Sequence, residues 1–165
     1  MKLGILLPAL AAVAAVLCPP AYATTTTSTT FQVKLTITSE CRIVSASTLD
    51  FVSNGVINAN IDQSSTLNVQ CTNTTPYNIG LDAGSNGGTV ATRLMKGGPS
   101  NETIGYSLYT TAGRSVVWGN TVGTDTVAGT GNGASQGYPI YGRVPAQTTP
   151  AAGNYTDTVT VTVTY

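Results

Sequence analysis

The chain contains no histidine, and this absence restricts the chemistry available to it. Histidine is the usual general base near neutral pH, a frequent metal ligand and the central member of a Ser-His-Asp triad. The acidic residues are scattered, and none has the spacing of a glycosidase pair or of a calcium-binding loop. We therefore predict that the protein is not an enzyme, and that it has no cofactor, no metal site and no small-molecule substrate.

Charge is also scarce, since charged residues make up only 8% of the chain, with 7 basic and 7 acidic side chains. No basic patch or stripe appears in the sequence. Proteins that bind nucleic acid or anionic membranes depend on such clusters of lysine and arginine. Nucleic acid and anionic membrane are therefore poor candidates as partners.

One match to a catalytic motif occurs at residues 133–137, where Gly-Ala-Ser-Gln-Gly fits the pattern G-x-S-x-G. The nucleophile elbow that this pattern describes needs a preceding strand, a following helix and a histidine partner. The surrounding sequence is rich in glycine and offers none of these. We interpret the match as coincidental.

The beginning of the sequence has the pattern of an export signal. A basic start precedes an apolar run over residues 3–17, and a small-x-small cleavage site ends at Ala23. The run is too short and wrongly flanked for a membrane span. We predict a signal peptide over residues 1–23. A lipoprotein site at Cys18 is the alternative, although the preceding leucine stands where such a site needs a small residue.

The remaining sequence is rich in threonine, glycine, asparagine and serine, and it is nearly free of helix-favouring runs. Short alternating segments separated by turn residues indicate an all-β antiparallel sandwich. The roughly 140 residues left after signal removal suit a single domain. A glycine-rich loop is expected over residues 119–137. We expect strands over residues 31–37, 41–44, 49–52, 66–72, 77–81, 92–95, 104–111, 115–118, 138–144 and 154–165.

Two cysteines, Cys41 and Cys71, lie outside the predicted signal peptide. An exported chain meets an oxidising compartment, where an even pair of cysteines reads as a disulfide. A metal or redox pair is the alternative, but the spacing is not C-x-x-C and no histidine is available. We predict a disulfide that closes a loop of about 30 residues.

The last eight residues alternate between threonine and larger apolar side chains. The apolar face carries Val159, Val161, Val163 and Tyr165. Strict period-two alternation of β-branched residues is a strong strand signal. Because the sequence stops at Tyr165, we expect this strand to have no next neighbour from this end of the chain.

A second alternating segment lies near the start of the mature chain. Its apolar face carries Phe31, Val33, Leu35 and Ile37. The three residues between Ile37 and Cys41 include no glycine, proline or asparagine, which disfavours a tight reversal. We expect this arm to continue outward and pair with another chain. The alternative is that it is an ordinary first strand of its own domain.

Several stretches, in their order and spacing, resemble one known family. They are residues 31–37 leading to Cys41, and residues 67–71, 104–109, 138–142 and 153–161. Together they cover nearly all of the mature chain. The sequence resembles the spore coat protein U domain, found in the pilin subunits of archaic chaperone–usher systems.

This resemblance implies an incomplete immunoglobulin-like antiparallel sandwich that lacks its last strand and is completed by a donor strand. It divides the chain into a signal peptide (1–23), an N-terminal donor-strand arm (24–38) and a pilin-like domain (39–165). By position, the donor residues are Phe31, Val33, Leu35 and Ile37. The acceptor groove is lined by Ile43, Val159, Val161, Val163 and Tyr165. The pair Cys41 and Cys71 matches the disulfide of the family.

The resemblance also implies a function and a set of partners. The protein is expected to be a structural subunit of a chaperone–usher pilus or surface coat that polymerises by donor-strand exchange. Its partners would be a periplasmic chaperone, an outer-membrane usher, and other copies or sister pilin subunits. It would pass through the periplasm to an extracellular fimbrium or to the cell or spore surface. The alternative from another class is a secreted monomeric carbohydrate-binding or adhesin domain.

Overall fold

The structure is a computed structural model that describes residues 21–165. Most of the predicted signal peptide therefore lies outside the described residues. The chain divides into two units, Met1–Leu35 and Thr36–Tyr165. Residues 21–40 form no helix or strand. The predicted boundaries of the arm, 24–38, stay a prediction.

The unit Thr36–Tyr165 holds all nine strands of the described residues. No helix in that described part is both long and apolar enough to cross a membrane. The strands are β1 (Cys41–Ala46), β2 (Ile61–Cys71), β3 (Pro76–Leu81), β4 (Arg93–Gly97), β5 (Glu102–Tyr109), β6 (Val127–Thr130), β7 (Ser135–Val144), β8 (Tyr155–Thr156) and β9 (Val161–Thr164).

The strands form two antiparallel sheets. The larger sheet has the order β1-β2-β7-β5-β4-β8, and the smaller one has the order β6-β3-β9. The longest ladder joins β2 to β7, from Ile61 opposite Val144 to Gln70 opposite Ser135. The predicted all-β antiparallel sandwich is confirmed.

Alternation along the strands explains how the sheets bury a shared core. In β2, Leu67 and Val69 are fully buried, whereas Asn68 between them is only half-buried and faces outward. Successive side chains of a strand point to opposite faces, so this pattern places one face against the other sheet. The buried apolar side chains of the core are Ile57, Leu67, Val69, Cys71, Tyr77, Ile79, Leu81, Tyr106, Leu108, Trp118, Ile140 and Val144.

The expected strand over residues 49–52 is wrong. The backbone N–H of Val52 donates to the carboxylate of Asp50 at 2.8 Å, and Val52 has a φ of 57°. A short polar side chain that bonds its own backbone in this way competes with a sheet ladder. The segment forms an irregular loop instead.

Two other strand expectations need correction. The glycine-rich region 119–137 is only partly a loop, because it contains β6 and the start of β7. Residues 115–118 form no strand, and a single bridge joins Val117 to Tyr109. Glycine content concealed β6, whose pairing with β3 is decided by the tertiary structure.

The predicted disulfide between Cys41 and Cys71 is present and closes a sequence separation of 30. The two residues lie opposite each other in the β1–β2 ladder. The bond therefore fixes the start of β1 to the end of β2. Cys71 is buried in the core, and Cys41 packs against it from the edge.

We predict that replacing both cysteines by serine lowers the free energy of unfolding by about 3–4 kcal/mol, because the unfolded chain regains the entropy of a loop of about 30 residues. Urea unfolding of the double variant and of the parent protein measures the difference. The reduced parent protein is the control and should lose a similar amount. A loss below about 1 kcal/mol in both would contradict the prediction.

Candidate functional site

Two edge strands from different sheets lie side by side. Within the described residues β1 pairs only with β2, and β9 pairs only with β3. Cα atoms of β1 and β9 nevertheless approach within 8 Å of each other. Each strand therefore presents a row of backbone N–H and C=O groups without a ladder partner on its outer side.

A groove of about 1040 Å³ opens beside this junction. Residues 46–57 form one wall, and residues 149–159 together with Val161 form the other. The floor includes Tyr106 and Ile140, which are buried core side chains of β5 and β7. The groove thus reaches the hydrophobic core from the surface.

The structure places the predicted acceptor residues in three different situations. Val159 and Val161 line the groove and are half-buried. Val163 is half-buried against the core but does not line the groove. Ile43 on β1 is 43% exposed and Tyr165 is 59% exposed, and neither contributes to the lining. Their assignment as acceptor residues stays a prediction.

Several lining residues were missed in the sequence. Leu49 and Phe51 line the wall opposite Val159, and Tyr106 lies on the floor. The only available signal for Tyr106 was its inward position in an alternating strand. The sequence places Leu49 and Phe51 only in the expected strand over residues 49–52, which does not form.

The C-terminal segment changes sheets within the groove wall. The expected single strand over residues 154–165 is interrupted, because β8 pairs with β4 of the larger sheet and β9 pairs with β3 of the smaller one. The switch takes place at residues 157–160, which carry no strand pairing. Val159, which faces the groove, lies inside this switch.

The carboxylate of Asp157 fixes the start of the switch. One oxygen accepts hydrogen bonds from the backbone N–H of Ser85 at 2.9 Å and from the amide of Asn86 at 3.0 Å. The other oxygen accepts from the hydroxyl of Tyr106 at 2.7 Å. Burial, and then the bond to Asp157, raise the pKa of Tyr106 well above its ordinary value. Its hydroxyl therefore stays protonated as a donor.

Asp82 fixes the end of the same switch. Its carboxylate accepts from the backbone N–H groups of Thr160 and Gly84, both at 2.9 Å. Partial burial by itself raises the pKa of this carboxyl. Hydrogen bonding by the side chain of Thr160, the two backbone hydrogen bonds and the charge of Arg93 outweigh it and hold the pKa below the ordinary value of 3.8. The charged form of Asp82 is therefore the one that stabilises the folded chain.

A buried arginine, Arg93, hydrogen-bonds backbone groups next to this switch, including the carbonyl of Asp82. Arg93 is 0% exposed, and its guanidinium donates to the carbonyl oxygens of Asp82, Val90, Leu81 and Trp118 at 2.7–3.0 Å. Burial lowers the pKa of the guanidinium. Because β4 belongs to the larger sheet and Leu81 to the smaller one, this side chain joins the two sheets.

The predicted donor residues are all exposed. Phe31, Val33 and Leu35 of the first unit are 82–87% exposed, and Ile37 of the second unit is 72% exposed. None of them lies in a strand. Among residues 21–165, no cluster of three histidine, cysteine, aspartate or glutamate side chains is placed to hold a metal ion.

Trp118 bears on the alternative of a carbohydrate-binding domain. Its side chain is 1% exposed, and its ring N–H donates to the carbonyl of Ile79 at 2.8 Å. The indole is thus a core side chain with its polar atom satisfied. It offers no face for stacking on a sugar.

Comparison with known proteins decides the family. The model of the Spore Coat Protein U domain matches residues 27–162, which include both the groove and the exposed alternating segment. The chain belongs to the spore coat protein U domain family. The predicted family membership is confirmed.

Two relatives illustrate this spore coat protein U domain. Protein U of Myxococcus xanthus is 33% identical over 119 residues, which are 69% of this chain and 66% of that protein. A chain in the crystal structure of the CsuC–CsuE chaperone–tip adhesion subunit pre-assembly complex, from the archaic chaperone–usher Csu pili of Acinetobacter baumannii, is 24% identical with a TM-score of 0.55. That match covers 79% of this chain and 40% of the other, and it shows a shared fold.

We predict that Asp157→Ala lowers the free energy of unfolding by about 2–3 kcal/mol, because it leaves partly buried donors without an acceptor. Glu40→Ala is the matched control, since that exposed carboxylate accepts no hydrogen bond from the described residues and its loss should cost about 0.5 kcal/mol or less. Chemical denaturation of both variants measures the difference. Equal losses would show that Asp157 does not fix the switch.

The lowered pKa of Asp82 predicts a specific acid sensitivity. Its contribution to stability is present above the unfolded pKa of 3.8 and is lost as the pH falls through the lower folded value. We expect Asp82→Asn to be less stable than the parent protein at about pH 6, and we expect the gap to narrow at about pH 3. Urea unfolding at both values checks this. A gap independent of pH would contradict it.

Proposed function

We propose that this spore coat protein U domain is a structural subunit of a chaperone–usher pilus or surface coat that assembles by donor-strand exchange. In this proposal, residues 31–37 of one subunit fill the groove of the next. The observation that carries the proposal is the open groove beside the unpaired edges of β1 and β9. The same chain bears an exposed, alternating apolar segment.

The dimensions of the two parts agree. Residues 31–37 as a strand span about 20 Å, at about 3.3 Å per residue. The alternating segment at 159–165 has the same number of residues and the same period. A strand laid along the free edge of β9 would form a ladder with it and bury one apolar face. Four side chains at about 1.5–3 kcal/mol each give roughly 6–12 kcal/mol before ordering costs.

The same open edges supply a reason for helper proteins. An unpaired edge beside an accessible core is an aggregation hazard until something covers it. We propose that a periplasmic chaperone lends a strand to this groove first, and that an outer-membrane usher exchanges it for the arm of another copy or of a sister subunit. The family match and the shared fold with the Csu pre-assembly complex support this course.

The proposal includes the route and the destination of the protein. Removal of the signal peptide over residues 1–23 would release the arm into the periplasm. The assembled subunits would lie in an extracellular fimbrium or on the cell or spore surface. Cell adhesion and biofilm formation are the settings in which such a structure would act.

We predict that Leu35→Asp abolishes polymerisation, because it places a charge on the apolar face of the donor strand. Thr36→Asp is the matched control, since it puts the same charge on the opposite face one residue away. Co-expression with the chaperone, followed by unheated SDS gels, should show a ladder for Thr36→Asp and a monomer for Leu35→Asp. Both variants should still bind the chaperone.

Two results would contradict the proposal. One is a parent chain that stays a stable monomer when it is purified without a chaperone. The other is a loss of chaperone binding in Leu35→Asp equal to its loss of polymerisation, which would make the arm an ordinary part of its own fold.

A further inference from the structure

The groove wall formed by residues 46–57 carries Phe51, whose aromatic ring packs on the groove floor. The ring of Phe51 packs edge-on against Tyr106, with 6.3 Å between ring centroids and 64° between ring planes. Gly142 of β7 lies beneath it, and a Cβ at that position would come within 2.9 Å of Leu49 and Phe51. Both side chains therefore rest against bare backbone of the larger sheet, in space that continues into the open groove.

The part of this wall at residues 48–55 is not held in place by pairing with a strand. In the described part of the chain, residues 48–55 make no backbone hydrogen bond to a strand. The loop is instead closed by its own side chains. Asp50 accepts from the backbone N–H of Val52, and the amide of Asn54 donates to the carbonyl oxygens of Phe51 at 2.6 Å and Val52 at 3.1 Å.

The loop is also under backbone strain. Val52 has a φ of 57°, in the left-handed region that β-branched residues strongly disfavour. Its side chain is 62% exposed, so burial of Val52 does not compensate for that conformation. The strained turn instead allows the neighbouring side chain, Phe51, to be half-buried.

The opposite wall is linked to the same floor residue. Tyr106 contacts Phe51 through its ring and donates through its hydroxyl to Asp157. The Asp157 side is fixed by several hydrogen bonds to the loop that follows β3. The Phe51 side is strained and has only local support, so it is the side that can move.

We propose that Leu49 and Phe51 form a plug, a segment of the chain itself that occupies part of the empty groove and withdraws when a donor strand enters. The inference rests on the proposed function and adds a regulatory step to it. The plug covers core surface in the unfilled subunit and delays strand entry. Withdrawal frees residues 48–55 to pair with the incoming strand, and Val52 returns to an extended conformation.

The test uses the full mature chain carrying Leu35→Asp, which cannot donate its own arm, after release from its chaperone, so that the groove is unfilled when the assay begins. A labelled synthetic peptide of residues 24–38 is added, and its incorporation is followed by fluorescence anisotropy. Phe51→Ala removes the main plug side chain. It should speed incorporation about tenfold, with Ser53→Ala in the same loop as the matched control at the parent rate.

Two further variants keep the test independent of any folding defect in Phe51→Ala. Asn54→Ala removes the two hydrogen bonds that close the loop but leaves Leu49 and Phe51 unchanged, and it should also speed incorporation severalfold. Val52→Gly suits the left-handed φ, stabilises the plugged state and should slow incorporation. Deuterium uptake of residues 48–55 should change when the peptide binds.

The outcomes separate the two proposals. Peptide incorporation at the same rate in all variants overturns the plug and leaves the proposed function intact. Slower incorporation in Asn54→Ala together with faster incorporation in Val52→Gly also overturns the plug and leaves the proposed function intact. Failure of the released Leu35→Asp chain to take up the peptide at all overturns the proposed function and the plug with it.

Discussion

The unpaired edges of β1 and β9 are the constraint on which the rest of the structure depends. A strand buries its backbone polar groups only when both sides are hydrogen-bonded, and these two strands each have one free side in the described residues. The apolar side chains of β9 are accordingly only half-buried, and Ile43 and Val44 of β1 are exposed. The groove beside them, the proposed partners and the proposed plug all follow from this incomplete pairing.

Polar contacts hold the sandwich together where apolar contacts are missing. Arg93 of β4 joins the two sheets through its hydrogen bond to the carbonyl oxygen of Leu81 in β3, and the disulfide fixes β1 to β2. Asp157 and Asp82 set the path of the chain through the sheet switch. These contacts do not depend on what fills the groove, so they keep its rigid wall in place while the opposite wall, at residues 48–55, lacks such support.

Much of this was predictable from local patterns, but with clear limits. Alternation located the second half of β2 and the strand β9, since side chains on a strand with one buried face must alternate. The same rule failed at residues 49–52, because a side-chain bond from Asp50 diverts the backbone there. It also failed at β6, whose short run is glycine-rich and pairs with a strand about 50 residues away. Val159 and Val161, which the sequence predicts as acceptor residues, line the groove, and so do Leu49, Phe51 and Tyr106, which it does not predict.

The sequence by itself determined the class of protein: all-β, without catalytic histidine, with one disulfide pair and two alternating segments of matching length. These properties depend on residue types and on a period of two, both of which can be read locally. Only the tertiary structure decided that the C-terminal segment changes sheets at Asp157, and that Phe51 lies over Tyr106. Those features arise from contacts between residues some 50 or more positions apart, whose partners are set by the packing of the two sheets rather than by any pattern within one segment.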